Sequence, residues 1–295
     1  MNQRIDRDAK LNIVWLEAPV CQDLLRVGGK VANLSSLAAK YRVPAGLCLT
    51  TAAHAQWVAA GESDWPEGLR VELESYYSEM AERCGIDALR VAVRSSAIDE
   101  DGRDASFAGL YETYLNVVGI EALAAAVVGC WISIRSPRVI EYRHRCGLPA
   151  EGAQIAVLVQ QMVQADVAGI AFSANPVTKE RSEVVINASW GLGESIVDGS
   201  VTPDTYIVAK DHLVVRECQI AEKERMTIAD PEGTREVSVP RFMRAQATLD
   251  DAKAVEIARL ARLLEVEMGW PVDLEYAYHG ETLYLLQCRP ITTLD

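Results

Sequence analysis

The spacing of apolar positions changes along the chain, and each change marks a different kind of element. Val31, Leu34, Leu37 and Ala38 recur at helical intervals after the pair Gly28-Gly29, which predicts a helix with Lys30 at its start. Pro44 and Gly46 break it. A helical stretch over residues 51 to 60 and a loop from Trp65 to Gly68 lead into a second helix that ends near Gly85. Val91-Ala92-Val93 then reads as a buried strand. It delivers Arg94 and two serines into Ala97 to Gly109, a loop with four acids and two glycines. Residues 121 to 146 predict a helix interrupted at Pro137, and Ile155 to Val159 a strand that runs into Gln160-Gln161-Met162-Val163. Beyond this point strands dominate, at 170 to 173, 184 to 188, 205 to 208 and 213 to 220. One long helix follows, opened by a Thr248-x-x-Asp251 capping box and closed by Gly269. The expected division is a lobe of residues 1–161 and a lobe of residues 162–295.

The C-terminal strands alternate cleanly. Val272, Leu274, Tyr276 and Tyr278 interleave with Asp273, Glu275 and Ala277, and Leu285, Gln287 and Arg289 interleave with Tyr284, Leu286 and Cys288. A three-residue turn at His279-Gly280-Glu281 would set Asp273 opposite Gln287 and Glu275 opposite Leu285. Two carboxylates, an amide and a guanidinium on one sheet surface suit a magnesium ion on nucleotide phosphates, with Arg289 taking phosphate oxygens; a solvated hairpin face is the plain alternative.

Composition narrows the candidates. With 49% hydrophobic and 24% charged residues the chain has ordinary globular usage. Its net charge of −13 opposes non-specific contact with nucleic acid or anionic lipid, so a phosphate-bearing ligand must be held by a few local cations. The longest nearly apolar run, Ala122 to Ile134, falls short of the ~20 residues that span a bilayer, and the N-terminal segment lacks a signal-peptide core. Neither nucleic acid nor membrane is an expected partner. Seven cysteines without a CxxC pair point to reduced thiols and a cytoplasmic location.

Single motifs leave alternatives open. Gly28-Gly29-Lys30 could hold phosphate at a helix start or simply expose a lysine, and it is not a Walker A loop, because Leu24 and Val31 stand where that loop needs glycine and Ser or Thr. Arg94 beside a buried strand needs an anion or a structural carboxylate. Gly191-Leu192-Gly193-Glu194 fails as a dinucleotide fingerprint at Ile196. The four histidines, 54, 144, 212 and 279, show no metal spacing.

Together the segments GGKVANLSSL (28 to 37), VAVRSSAIDEDGRDASFAGLYETYLNV (91 to 117), SPRVIEYR (136 to 143), QQMV (160 to 163), AGIAFSANPVT (168 to 178), INASWGLGESIVDGSVTPD (186 to 204) and LEYAYHGETLYLLQCRPIT (274 to 292) resemble the ATP-binding domain of the phosphoenolpyruvate synthase family. That family also includes pyruvate phosphate dikinase and rifamycin phosphotransferase. The resemblance implies an α+β ATP-grasp fold of two lobes with ATP in a cleft between them. It implies that Lys30 and Arg94 hold the phosphates, that Gly109 and Thr113 belong to a mobile covering loop, and that Gln160, Gln161, Met162 and Val163 present backbone groups to adenine. Glu275 and Gln287 match the family's Mg²⁺ ligands, and Arg289 matches its phosphate-binding arginine. Complete members also carry a swivelling domain with a phosphorylatable histidine in a TSHAA-type motif. None of the four histidines here lies in such a motif, so the resemblance implies an acceptor on a partner chain or on another part of a longer protein. A non-catalytic ATP-binding subunit and an ATP-grasp ligase remain the alternatives.

Overall fold

The computed structural model describes residues 11–99, 111–149, 153–197, 199–231 and 233–294, and they divide into two compact units. The first runs to Lys40 and resumes from Pro44 to Met162; the second takes Tyr41–Val43 and the chain from Val163 onward.

The first unit is built on a five-stranded antiparallel sheet. Its strands are β1 (Ile13–Trp15), β2 (Gly46–Leu49), β3 (Arg90–Ala97), β4 (Thr113–Val118) and β5 (Ile155–Gln161), in the order β1-β2-β5-β3-β4. Its helices are α1 (Leu24–Ala38), α2 (Thr51–Ala59), α3 (Glu67–Cys84), α4 (Ile120–Ser133) and α5 (Pro137–Arg145). Alternation along β3 sorts the packing. Ser95 turns its hydroxyl toward Ser133 of α4, whereas Ser96 turns its hydroxyl toward α1. Leu123, Val127, Cys130 and Trp131 of α4 are fully buried in one core with Val91, Val93, Val157 and Val159. Each such Leu or Val contributes about 1.5–3 kcal/mol by leaving water.

Three local expectations change here. Pro137 does not interrupt a helix; it occupies the first turn of a new one, where its missing amide costs nothing, and the Ser136 side chain caps it by accepting from Val139 N. The strand read at Val91 to Val93 extends from Arg90 to Ala97, so Arg94 and both serines lie in the sheet. Thr113, expected in a covering loop, is paired with Arg94 in β4. Helix α3 ends as read, with Gly85 in the left-handed conformation.

His54 of α2 is packed among Trp57 and Trp131, with ring centroids 6.2 and 6.0 Å away. Burial above all, and then Arg135, lowers its pKa to about 4, although Glu62 opposes this. The unfolded chain therefore binds a proton between pH 6.5 and about 4 that the folded chain does not. This part of the stability is complete above pH 6.5 and is lost as pH falls toward 4, by about 3 kcal/mol at most. Acid unfolding followed by tryptophan fluorescence should show this limb, and His54→Phe should remove it; an identical pH profile in the variant would disprove the assignment.

The second unit has a six-stranded antiparallel sheet of β6 (Val167–Phe172), β7 (Glu183–Trp190), β8 (Asp204–Ala209), β9 (Val214–Gln219), β12 (Val272–His279) and β13 (Thr282–Pro290), ordered β13-β12-β6-β7-β8-β9. A short helix, α6 (Glu194–Val197), precedes β8, and β10 (Arg225–Asp230) and β11 (Gly233–Ser238) form a separate hairpin that the hydrophobic pattern does not show. Helix α7 (Asp251–Met268) lies on the sheet face carrying Tyr278, whose hydroxyl donates to Glu256 Oε2 at 2.7 Å. The cap of α7 is Asp250, accepting from Lys253 N. Thr248, expected in that role, instead donates its N–H and hydroxyl to Asp204 Oδ2 at 2.8 and 2.9 Å. Asp204 is fully buried, pairs with the equally buried Lys223, and also accepts from Ala221 N. Gly269 closes α7 in the left-handed conformation. The strap Tyr41–Val43 belongs to this unit: Leu285 N donates to Arg42 O at 2.9 Å, and the Arg42 guanidinium lies 5.8 Å from the centre of the Tyr284 ring.

Candidate nucleotide-binding site

In the first unit the candidate residues gather where α1 meets β3. Helix α1 starts at Leu24 but breaks at Gly28, whose φ of 73° and ψ of 170° belong to a region essentially reserved for glycine. A Cβ there would lie 2.2 Å from the Ser96 carbonyl oxygen. Lys30 stands in the first turn after the break, buried, with its ammonium donating to Ser95 O at 2.8 Å. A helix start and a fixed cation both favour an anion. Arg94 projects to the α1 side of the sheet by alternation with Ser96, and Gln160, paired with Ala92, shares that side.

Gln160 is 1% exposed, and its Nε2 has no hydrogen-bond partner among the described residues. Strand β5 ends one residue later. The amides of Gln161 and Met162 donate to Ala45 O and Arg90 O, at 2.8 and 2.9 Å, and the Val163 carbonyl accepts from Ala165 N. A ligand meeting this segment would therefore find carbonyl groups and the Gln160 side chain rather than those two amides. Gly109 lies outside the described residues.

In the second unit the hairpin register differs from the sequence expectation. The turn has two residues, Gly280 and Glu281, with Gly280 at φ 58°, and an irregularity between Glu275 and Tyr276 shifts the pairing again. Asp273 therefore faces Arg289, and Glu275 faces Gln287. All four sit on the sheet face opposite α7. Asp273 Oδ2 accepts from both Nε and Nη2 of Arg289 at 2.8 Å. Burial raises the Asp273 pKa, Arg289 opposes that, and Glu275 adds to it. Thus Asp273, expected beside a metal, is engaged in orienting the arginine. Glu275 and Gln287 lie directly opposite one another in the register. Groups of three or more His, Cys, Asp or Glu suited to a metal do not occur among the described residues.

Sequence reasoning missed two contributors. The Ser96 hydroxyl bonds both sides of the Gly28 break, a contact 69 residues from Val27 that no local pattern announces. The Asp273 fork depended on a register that only the observed turn and bulge set.

Residues 56–295 match the family described as pyruvate phosphate dikinase, AMP/ATP-binding domain. The chain belongs to that family. Its relatives include the probable phosphoenolpyruvate synthase of Methanocaldococcus jannaschii, 44% identical over 79% of this chain and 20% of its own length. The phosphoenolpyruvate synthase of Pyrococcus furiosus is 42% identical over 78% of this chain and 29% of its own. The rifampicin phosphotransferase of Streptomyces sviceus is 37% identical over 91% of this chain and 34% of its own. The chain thus spans between a fifth and about a third of these relatives. Membership in a dikinase AMP/ATP-binding family, together with two α+β units, agrees with the ATP-grasp class implied by the sequence.

Proposed function

We propose that the chain is the catalytic ATP-binding part of a dikinase-type phosphotransferase, with residues 1–161 and 162–295 as its lobes. It binds ATP with Mg²⁺ and passes a phosphoryl or pyrophosphoryl group to a histidine of a swivelling domain, in trans or elsewhere in a longer chain. Attack by that histidine breaks the α–β bridge and releases AMP, and attack by water then breaks the β–γ bridge and releases phosphate. The observation that carries this reading is the direct pairing of Glu275 with Gln287 beside an arginine held by Asp273. Two protein oxygens suit Mg²⁺, which keeps its remaining positions for phosphates and water. When bound, held by Glu275 and Gln287, the ion would neutralise phosphate charge.

The chain's own residues supply the rest. In this reading Lys30, Arg94 and Arg289 serve as phosphate cations, the kind of fixed charge on which phosphoryl transfer chiefly depends. Gln160 to Val163 serve the adenine, and Thr113 enters as the strand neighbour of Arg94. Seven free cysteines support a cytoplasmic location.

Glu275→Ala and Gln287→Ala are each expected to weaken the magnesium-dependent part of ATP binding about tenfold or more, because each removes an oxygen ligand that water replaces poorly. Isothermal titration with and without Mg²⁺ measures this. Unchanged affinity and unchanged magnesium dependence in both variants would sink the metal assignment.

A further inference from the structure

A helix start needs acceptors for its first amides, and these normally come from a Ser, Thr, Asp or Asn at the cap position of the same segment. The resumed part of α1 has only glycines there. The acceptor comes from another strand: Val31 N donates to Ser96 Oγ at 3.2 Å. The same hydroxyl donates to Val27 O, on the other side of the break, at 2.7 Å. One fully buried hydroxyl thus spans the interruption at Gly28, and the missing Cβ of that glycine is what lets β3 approach. The neighbouring Ser95 carbonyl holds the Lys30 ammonium. Three successive residues of β3 therefore carry a candidate phosphate cation, the anchor of a second one, and the cap of the turn that bears it.

We infer that Ser96 is a positioning residue for the phosphate-binding turn, holding the turn after Gly28 so that it presents Lys30. This rests on the reading of Lys30 as a phosphate ligand. Ser96 acts through the turn, to which both bonds of its hydroxyl go. Its hydroxyl supplies the cap that a glycine-rich turn lacks, so the turn keeps one geometry before the nucleotide arrives and loses little entropy on binding.

The test is a double-mutant cycle in the full chain, titrating ATP with Mg²⁺ against Ser96→Ala, Lys30→Met and the pair. Ser96→Ala should raise the ATP Kd about tenfold, and this factor should largely vanish when Lys30 is already methionine, because the turn then has no ammonium to aim. A purely structural role would lower the melting temperature and leave the factor intact in the Lys30→Met background; that outcome, or an unchanged Kd in Ser96→Ala, overturns the inference alone. An unchanged Kd in Lys30→Met overturns both it and the reading on which it rests. Should Ser96→Ala fail to fold, Ser96→Cys retains the size with a weaker donor and acceptor. It should give a smaller rise in Kd that Lys30→Met again cancels, and no rise would count against the inference.

Discussion

Given ATP and Mg²⁺ alone, the purified chain is expected to form AMP many orders of magnitude more slowly than the same chain supplied with a histidine-bearing swivelling domain. Of the four histidines, two are engaged within the fold and none lies in a TSHAA-type motif. His54 is buried among tryptophans with its basicity lowered, and His279 Nδ1 lies 2.7 Å from Gln164 O. His144 lies on the exposed side of α5, and His212 in the turn between β8 and β9. A well-oriented nucleophile can be worth about 7–11 kcal/mol, which water in its place does not recover. Separating AMP from ADP after incubation with labelled ATP, with and without the partner domain, reads the difference. Fast AMP release by the chain alone, abolished by Arg289→Ala, would show that water is the natural acceptor.

The largest effect on stability is expected at Asp204. Removing one member of a buried ion pair costs about 3–5 kcal/mol, because the other charge stays behind without compensation. Here the two sides differ. Lys223→Met leaves a carboxylate still accepting from Thr248 N, Thr248 Oγ1 and Ala221 N, which should hold the loss near 3 kcal/mol. Asp204→Ala leaves the ammonium its bond to Ala221 O but no charge partner, and strands those three donors as well, so the loss should reach about 5 kcal/mol. Replacing both residues with apolar ones should not restore stability, since the three donors remain. Urea unfolding, monitored for separate transitions of the two units, measures the order; equal losses for the two single variants would contradict it.

Legibility in the sequence followed the range of the interaction. The alternation of β12 and β13 is local and was visible, as were the glycines closing α3 and α7. Their register was not, because a two-residue turn and one bulge each move the pairing without altering the alternation. The β10–β11 hairpin escapes a hydrophobic reading because its apolar residues are few, with Met226 facing Val237 but Ile228 facing Arg235, and its strands bury little. Thr248 carried the local signature of a helix cap, but a buried carboxylate is a stronger acceptor than the turn could offer. Lys30 was legible as a helix-start cation; its cap on a strand 65 residues away was not.

The strap Tyr41–Val43 also bears on how the chain is made. Arg42 leaves the ribosome about 240 residues before Leu285, the amide that its carbonyl accepts. At about 5–20 residues per second, roughly 10–50 s pass before β13 exists. Meanwhile the whole sheet of the first unit has emerged, and a loop from Pro44 to Met162 can close by itself. The second unit is complete only once β13 has been made, and that strand then binds a segment synthesised about 240 residues earlier.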